Sequence, residues 1–157
     1  MNKAIVTAKP GESIITIERT FAASKAKLFA AMTTKSKLEK WWLGPGHNVR
    51  IDQLDVRDGG TWKFVQTAGD HEFAFHGSYH EVGPDRVVQT MEFSGLPERG
   101  HVAMERMELI AIDANTTKLR VTSAFFSVAD RDGMVQSGME DGMNQSYDRL
   151  DAVLKEA

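Results

Sequence analysis

The sequence predicts an α+β protein in which a curved antiparallel sheet of about six to seven strands wraps one long C-terminal helix. Three observations carry this. From Val49 to Phe125 apolar and polar residues alternate with a period of two. Turns such as Gly59-Gly60, Ala68-Gly69-Asp70 and Gly83-Pro84-Asp85 cut that run into short pieces, as expected of strands joined hairpin to hairpin. Beyond it, the last stretch carries apolar residues at helical spacing.

Residues 1–11 read as a loose tail ending at Pro10-Gly11. Ile14 to Phe21 is rich in β-branched residues and reads as the first strand. Ser24 is placed to cap a helix in which Leu28, Phe29 and Met32 recur at helical spacing, and Ser36 to cap a second, running to about Trp42. Gly44-Pro45-Gly46 stops it. Strands are then expected at Val49 to Leu54, around Trp62 to Gln66, at Phe73 to Val82, at Val87 to Phe93, at His101 to Ile112 and at Lys118 to Phe125. Asp130 is the expected cap of a final helix from Arg131 to about Lys155, roughly 38 Å long at 1.5 Å per residue. Its apolar stripe is Val135, Met139, Met143, Leu150 and Leu154, with Tyr147 beside it. Gly138, Gly142 and Ser146 form a small-residue stripe. Glycine inside a helix costs roughly 1 kcal/mol against alanine, so the stripe implies a close approach or space left for something else.

The chain has 157 residues and a net charge of −3, with 41% apolar and 26% charged residues. That is ordinary for one globular domain. It leaves no basic footprint for nucleic acid or an anionic membrane. No apolar run is long enough to span a bilayer, and no secretory signal opens the chain, so a cytoplasmic location is expected. With no cysteine there is neither a disulfide framework nor a thiolate nucleophile. Eight methionines suit an irregular core or an adaptable pocket.

Several local patterns are shared with a known group. Glu18-Arg19-Thr20-Phe21-Ala22-Ala23 with Leu28-Phe29 opens the chain; Leu38 to Trp42 leads into Gly44-Pro45; Asp55 to Trp62 carries an aspartate-x-arginine-x-glycine-glycine turn. Phe75 to Val82 with Pro84 to Val88 forms a central hairpin, and Gly142-Met143 leads to Tyr147-Asp148-Arg149-Leu150. In this order they resemble the START-like superfamily of helix-grip folds, in its branch related to the activator of heat-shock-protein-90 ATPase. That branch usually has glycine-tryptophan in the closing helix, where this chain has Gly142-Met143.

The candidate site is apolar. The inner sheet face is expected to carry Trp62, Phe64, Phe73, Phe75, Met91, Phe93, Leu119, Val121 and Phe125, facing Met139, Met143 and Tyr147 on the helix. Gln89, Ser123 and Tyr147 are its polar handles. Trp42 either packs as structure or rims the mouth. Such a set is either a filled core or a ligand cavity. No catalytic constellation is legible: there is no nucleophile elbow and no phosphate loop. Glu81, Glu105 and Glu108 stand as candidate carboxylates by alternation alone. His76 and His80 are four apart, but on a strand that is roughly 13 Å, too far to share an ion, so no metal site or cofactor is expected.

The first functional expectation is therefore a binding protein for a small hydrophobic or aromatic molecule, monomeric or a homodimer. The resemblance implies two alternatives: a stress-response module contacting a heat-shock ATPase, and an enzyme of the polyketide cyclase or dehydratase kind. No nucleic acid or membrane partner is expected.

Overall fold

The computed structural model describes residues 3–42 and 48–156. The strands are β1 (Ile5–Thr7), β2 (Ile14–Phe21), β3 (Asn48–Leu54), β4 (Thr61–Ala68), β5 (His71–Val82), β6 (Arg86–Phe93), β7 (Val102–Asp113) and β8 (Thr116–Ala124). The helices are α1 (Lys25–Thr33), α2 (Lys35–Trp41), α3 (Val128–Gln136) and α4 (Met139–Leu154). This is an α+β helix-grip fold. All eight strands form one antiparallel sheet in the order β1-β2-β8-β7-β6-β5-β4-β3. Register shifts in β3–β4, β5–β6 and β7–β8 are the irregularities that bend a sheet.

The expected architecture holds, with four local corrections. The segment read as a tail contains β1, in which Val6 pairs with Ile17 and extends the sheet beyond β2. The α2 cap is Thr34, through its backbone only, and not Ser36, which lies inside the helix. The α3 cap is Ser127, whose Oγ accepts from the Asp130 amide at 3.0 Å; Asp130 sits in the first turn, where its charge complements the helix dipole. The fourth correction concerns the long helix. It is two helices, broken at Gly138, whose φ of 85° is left-handed. Val135, on the far side of the break, is 39% exposed and has left the apolar stripe. The stop read at Gly44-Pro45-Gly46 lies outside the described residues.

The core sits between the inner sheet face and the helices. Ile15, Phe21, Leu28, Leu119 and Leu150 are fully buried there. Ser24 caps α1 as expected, accepting from the Lys27 amide. Trp41 Nε1 donates to Ala31 O at 2.9 Å and ties α2 to α1. Two side chains of α4 then satisfy carbonyls at the end of α2, groups that a helix leaves without partners. Ser146 Oγ donates to Trp42 O at 2.8 Å, and Arg149 Nε donates to Trp41 O at 3.2 Å.

The small-residue stripe therefore has no single cause. Ser146 is a bridge to α2, and Gly138 is a hinge in the backbone. At Gly142 an added Cβ would meet nothing within 4 Å, so no close approach demands glycine. Gly142→Ala is accordingly expected to stabilise the protein by about 0.5–1 kcal/mol, because alanine is the better helix former. Equilibrium urea unfolding checks this; a loss of stability would show that α4 needs flexibility there.

Candidate functional site

Between the inner sheet face and α1, α2 and α4 lies a cavity of about 480 Å³. Sheet alternation delivers its floor. Trp62 and Phe64 come from β4, Phe75 and Tyr79 from β5, Met91 from β6, Val121 from β8. The helices deliver its roof through Trp42, Met139, Met143 and Tyr147. Six of the methionines face it: Met32, Met91, Met107, Met134, Met139 and Met143. Trp42 sets its ring edge-to-face against both Phe64 and Phe75, with centroids 4.9 Å apart in each case, an arrangement that fixes aromatic rings beyond simple area burial.

Most of the residues expected from the sequence line this cavity, including Gln89, Ser123 and Phe125. Phe73 and Phe93 do not. They lie on the same sheet face and continue the rings outward from Phe75 towards the strand ends: the Phe93 centroid is 4.8 Å from that of Phe75 and 5.8 Å from that of Phe73, with Gly95 packed onto both outer rings. Period-two alternation assigns a face, not how far along the strand the helices reach.

The cavity holds a polar row that the sheet register builds. Ser123 pairs with Glu105, Glu105 with Gln89, and Gln89 with Tyr79, on four adjacent strands. Gln89 Nε2 donates to Glu105 Oε1 at 3.0 Å, and Ser123 Oγ donates to Glu105 Oε2 at 3.3 Å. No Lys or Arg among the described residues pairs with this carboxylate. Burial pushes the Glu105 carboxyl above the usual range, while the Gln89 and Ser123 hydrogen bonds oppose that rise. Glu105 is only half-buried by surface, because what it exposes faces the cavity, with protein around it. Alternation had placed Glu105 beside Glu81 and Glu108 as an equal candidate. Only Glu105 faces inward; Glu81 binds Arg86 at 2.9 Å and Glu108 approaches Arg106.

Two tyrosines complete the polar set. Burial raises the Tyr79 hydroxyl to about 12. Tyr147 is raised further, first by burial and then by the nearby negative charge of Glu105, with Arg19 opposing. Both hydroxyls therefore remain protonated at neutral pH. On the opposite wall Arg149 lines the cavity, and burial lowers its pKa.

Outside the cavity, His76 and Glu92 face each other on β5 and β6, with His76 Nε2 3.4 Å from Glu92 Oε1. Arg99 clamps Glu92 through two nitrogens at 2.9 and 3.0 Å, and the Gly100 amide adds a bond at 2.8 Å. The Arg99 and Gly100 hydrogen bonds hold the Glu92 carboxyl down at about 2, against an ordinary 4.5. A depressed carboxylate contributes stability that is present above its ordinary value and lost as pH falls through its folded one. The protein is thus expected to lose stability between about pH 4.5 and 2, and Glu92→Gln to flatten part of that slope. Urea midpoints measured across this range check it; identical slopes would remove the role assigned to Glu92. Among the described residues no three His, Asp or Glu side chains cluster to hold a metal, and no helix is long and apolar enough to cross a membrane.

The sequence comparison decides the family. The model of the activator of Hsp90 ATPase homolog 1-like proteins matches residues 22–155. The chain belongs to that family. Solved structures agree on the fold. A protein from Rhodobacter sphaeroides superposes with a TM-score of 0.86 at 22% identity, covering 97% of each chain. Another, from Arthrobacter aurescens, gives 0.85 at 22% identity over 98% of this chain and 92% of its own. Protein Ms6760 from Mycobacterium smegmatis gives 0.83 at 20% identity, covering 98% and 99%. At such identities the likeness shows architecture alone. No curated protein matches the sequence. Met143 lies on the cavity wall.

Proposed function

We propose that this member of the family binds a small hydrophobic or aromatic molecule in the cavity between sheet and helices. The observation that carries the reading is the cavity itself: about 480 Å³ walled by aromatic rings and thioethers. That size and make-up are typical of small-molecule sites, which run roughly 300–1,000 Å³ with a few polar groups to orient the guest. A methionine-rich wall adapts to guests of different outline because the thioether is flexible and polarizable.

Native mass spectrometry of freshly purified protein tests the reading, together with thermal-shift measurements against aromatic and aliphatic probes. A bound small molecule, or a rise in Tm with an apolar probe, is expected. Met143→Trp places an indole in the cavity wall and is expected to abolish the probe-induced shift while the fold persists. A wild type that responds to no probe and carries no guest overturns the proposal.

Family membership supports a second reading, an interaction module for a heat-shock ATPase. A pull-down with purified ATPase tests it, and an ATPase rate unchanged by the protein argues against it.

A further inference from the structure

The cavity contains a charge that its apolar wall does not explain. Glu105 and Arg149 are the only charged residues along the described lining. Arg149 is engaged on the helix side, donating to Trp41 O and to Ser146 Oγ at 3.0 Å. Glu105 sits at the middle of the sheet, on the row shared with Ser123 and Gln89. Both of its oxygens are hydrogen-bonded, one to an amide and one to a hydroxyl. The Ser123 hydroxyl can donate or accept, so the same two contacts serve a carboxylate or an acid, and burial without a countercharge favours the acid until a cation arrives. Each oxygen of the carboxylate keeps a further acceptor site. No described cation neutralises it.

We infer that the guest is a hydrophobic amine, whose ammonium group pairs with Glu105 while its apolar body lies against the ring and thioether wall. This rests on the binding reading given above and specifies its ligand class. The physical argument concerns what folding has already done. Removing a carboxylate from bulk water is expensive, and an isolated buried charge is tolerated only where something offsets it. Here the fold supplies two neutral hydrogen bonds and no countercharge. A cationic guest supplies the missing countercharge in a low-dielectric site, where a charge-assisted hydrogen bond is stronger than a neutral one. The Tyr79 and Tyr147 side chains also line the cavity, and a hydroxyl can accept from an N–H group. Trp42, Trp62 and Phe64 present ring faces and edges nearby, and a ring face attracts a cation within about 6 Å. An acidic guest would meet Glu105 as a like charge.

Three probes of one shape test this: 2-(1-naphthyl)ethylamine, 2-(1-naphthyl)ethanol and 1-naphthylacetic acid, titrated by calorimetry into the wild type and into Glu105→Gln. In the wild type the amine is expected to bind about tenfold more tightly than the alcohol, the scale of one hydrogen bond to a charged group, and the acid weakest. Glu105→Gln keeps the shape and removes the charge, exchanging one acceptor for a donor that the Ser123 hydroxyl can accept, so it is expected to erase the amine's advantage over the alcohol. Equal binding of amine and alcohol by the wild type overturns the amine inference and leaves the cavity reading intact. Tightest binding of the acid overturns it too, and assigns recognition to Arg149. Binding of none of the three overturns both readings. The comparison of probes on the wild type stands even if Glu105→Gln folds poorly.

Discussion

Gly77→Ala is expected to destabilise the protein by several kcal/mol, enough to unfold a domain of ordinary stability. Gly77 lies on β5 directly opposite Trp62 of β4. The Trp62 indole crosses over it, and its Nε1 donates to Thr90 O on β6 at 3.2 Å. An alanine Cβ would stand 1.8 Å from that same carbonyl oxygen and 2.8 Å from Nε1. The first contact is with backbone, so no rotamer change relieves it. Relief requires β5 and β6 to separate, and that breaks the indole bond and opens the cavity floor at Trp62. Denaturant unfolding of the purified variant, with tryptophan fluorescence as a second probe, checks this. A loss below about 1 kcal/mol, the scale of an ordinary surface or strand substitution, would mean the two strands can part cheaply.

Arg19→Ala is expected to cost about 3 kcal/mol, mostly through the lost packing of a large buried side chain, because its partners Asp148 and Asp151 keep 59% and 28% exposure. Arg19 is 3% exposed on the inner face of β2. Its Nη2 pairs with Asp151 at 2.6 Å and Asp148 at 3.1 Å on α4. Its guanidinium lies 5.0 Å from the Phe21 ring centroid and 5.9 Å from that of Tyr147. Yet Nε and Nη1 are buried with no hydrogen-bond partner. Such a side chain contributes through packing and cation–π attraction as well as charge, while its unpaired donors work against it. Arg19→Met keeps most of the volume and removes the orphaned donors, so it is expected to lose less than half as much as Arg19→Ala. Urea midpoints for the two variants separate the contributions. If methionine is as damaging as alanine, the ion pairs with α4 dominate and the packing account fails.

Both residues show how far the sequence could be read. Arg19 was visible as part of a family-like opening strand, and Gly77 as a glycine inside an alternating run. Neither reading reached the neighbour that gives the residue its importance. Gly77 depends on an indole that is adjacent across strands but distant in sequence. Arg19 depends on two aspartates more than a hundred positions away. The same holds at the cavity. Trp62, Phe64 and Phe75 could be assigned to the inner face because a strand has only two faces. Phe73 and Phe93 satisfied that rule equally and still fall outside the lining.

The amino-acid sequence by itself determined the type of every element except β1, the inward face of β4, β5, β6 and β8, and the Ser24 cap. Each of these is a local matter of period, capping or turn chemistry. Tertiary structure decided where the helical segment ends. A glycine in a helix and a glycine at a left-handed break look alike in sequence, and the packing of α3 and α4 separates Gly142 from Gly138. Tertiary structure also decided which carboxylate matters. Alternation puts Glu105 and Glu108 on opposite faces of one strand without saying which face is inner, and only the register of β6, β7 and β8 sets Gln89 and Ser123 on either side of Glu105. Register is a relation between strands, and no single strand encodes it.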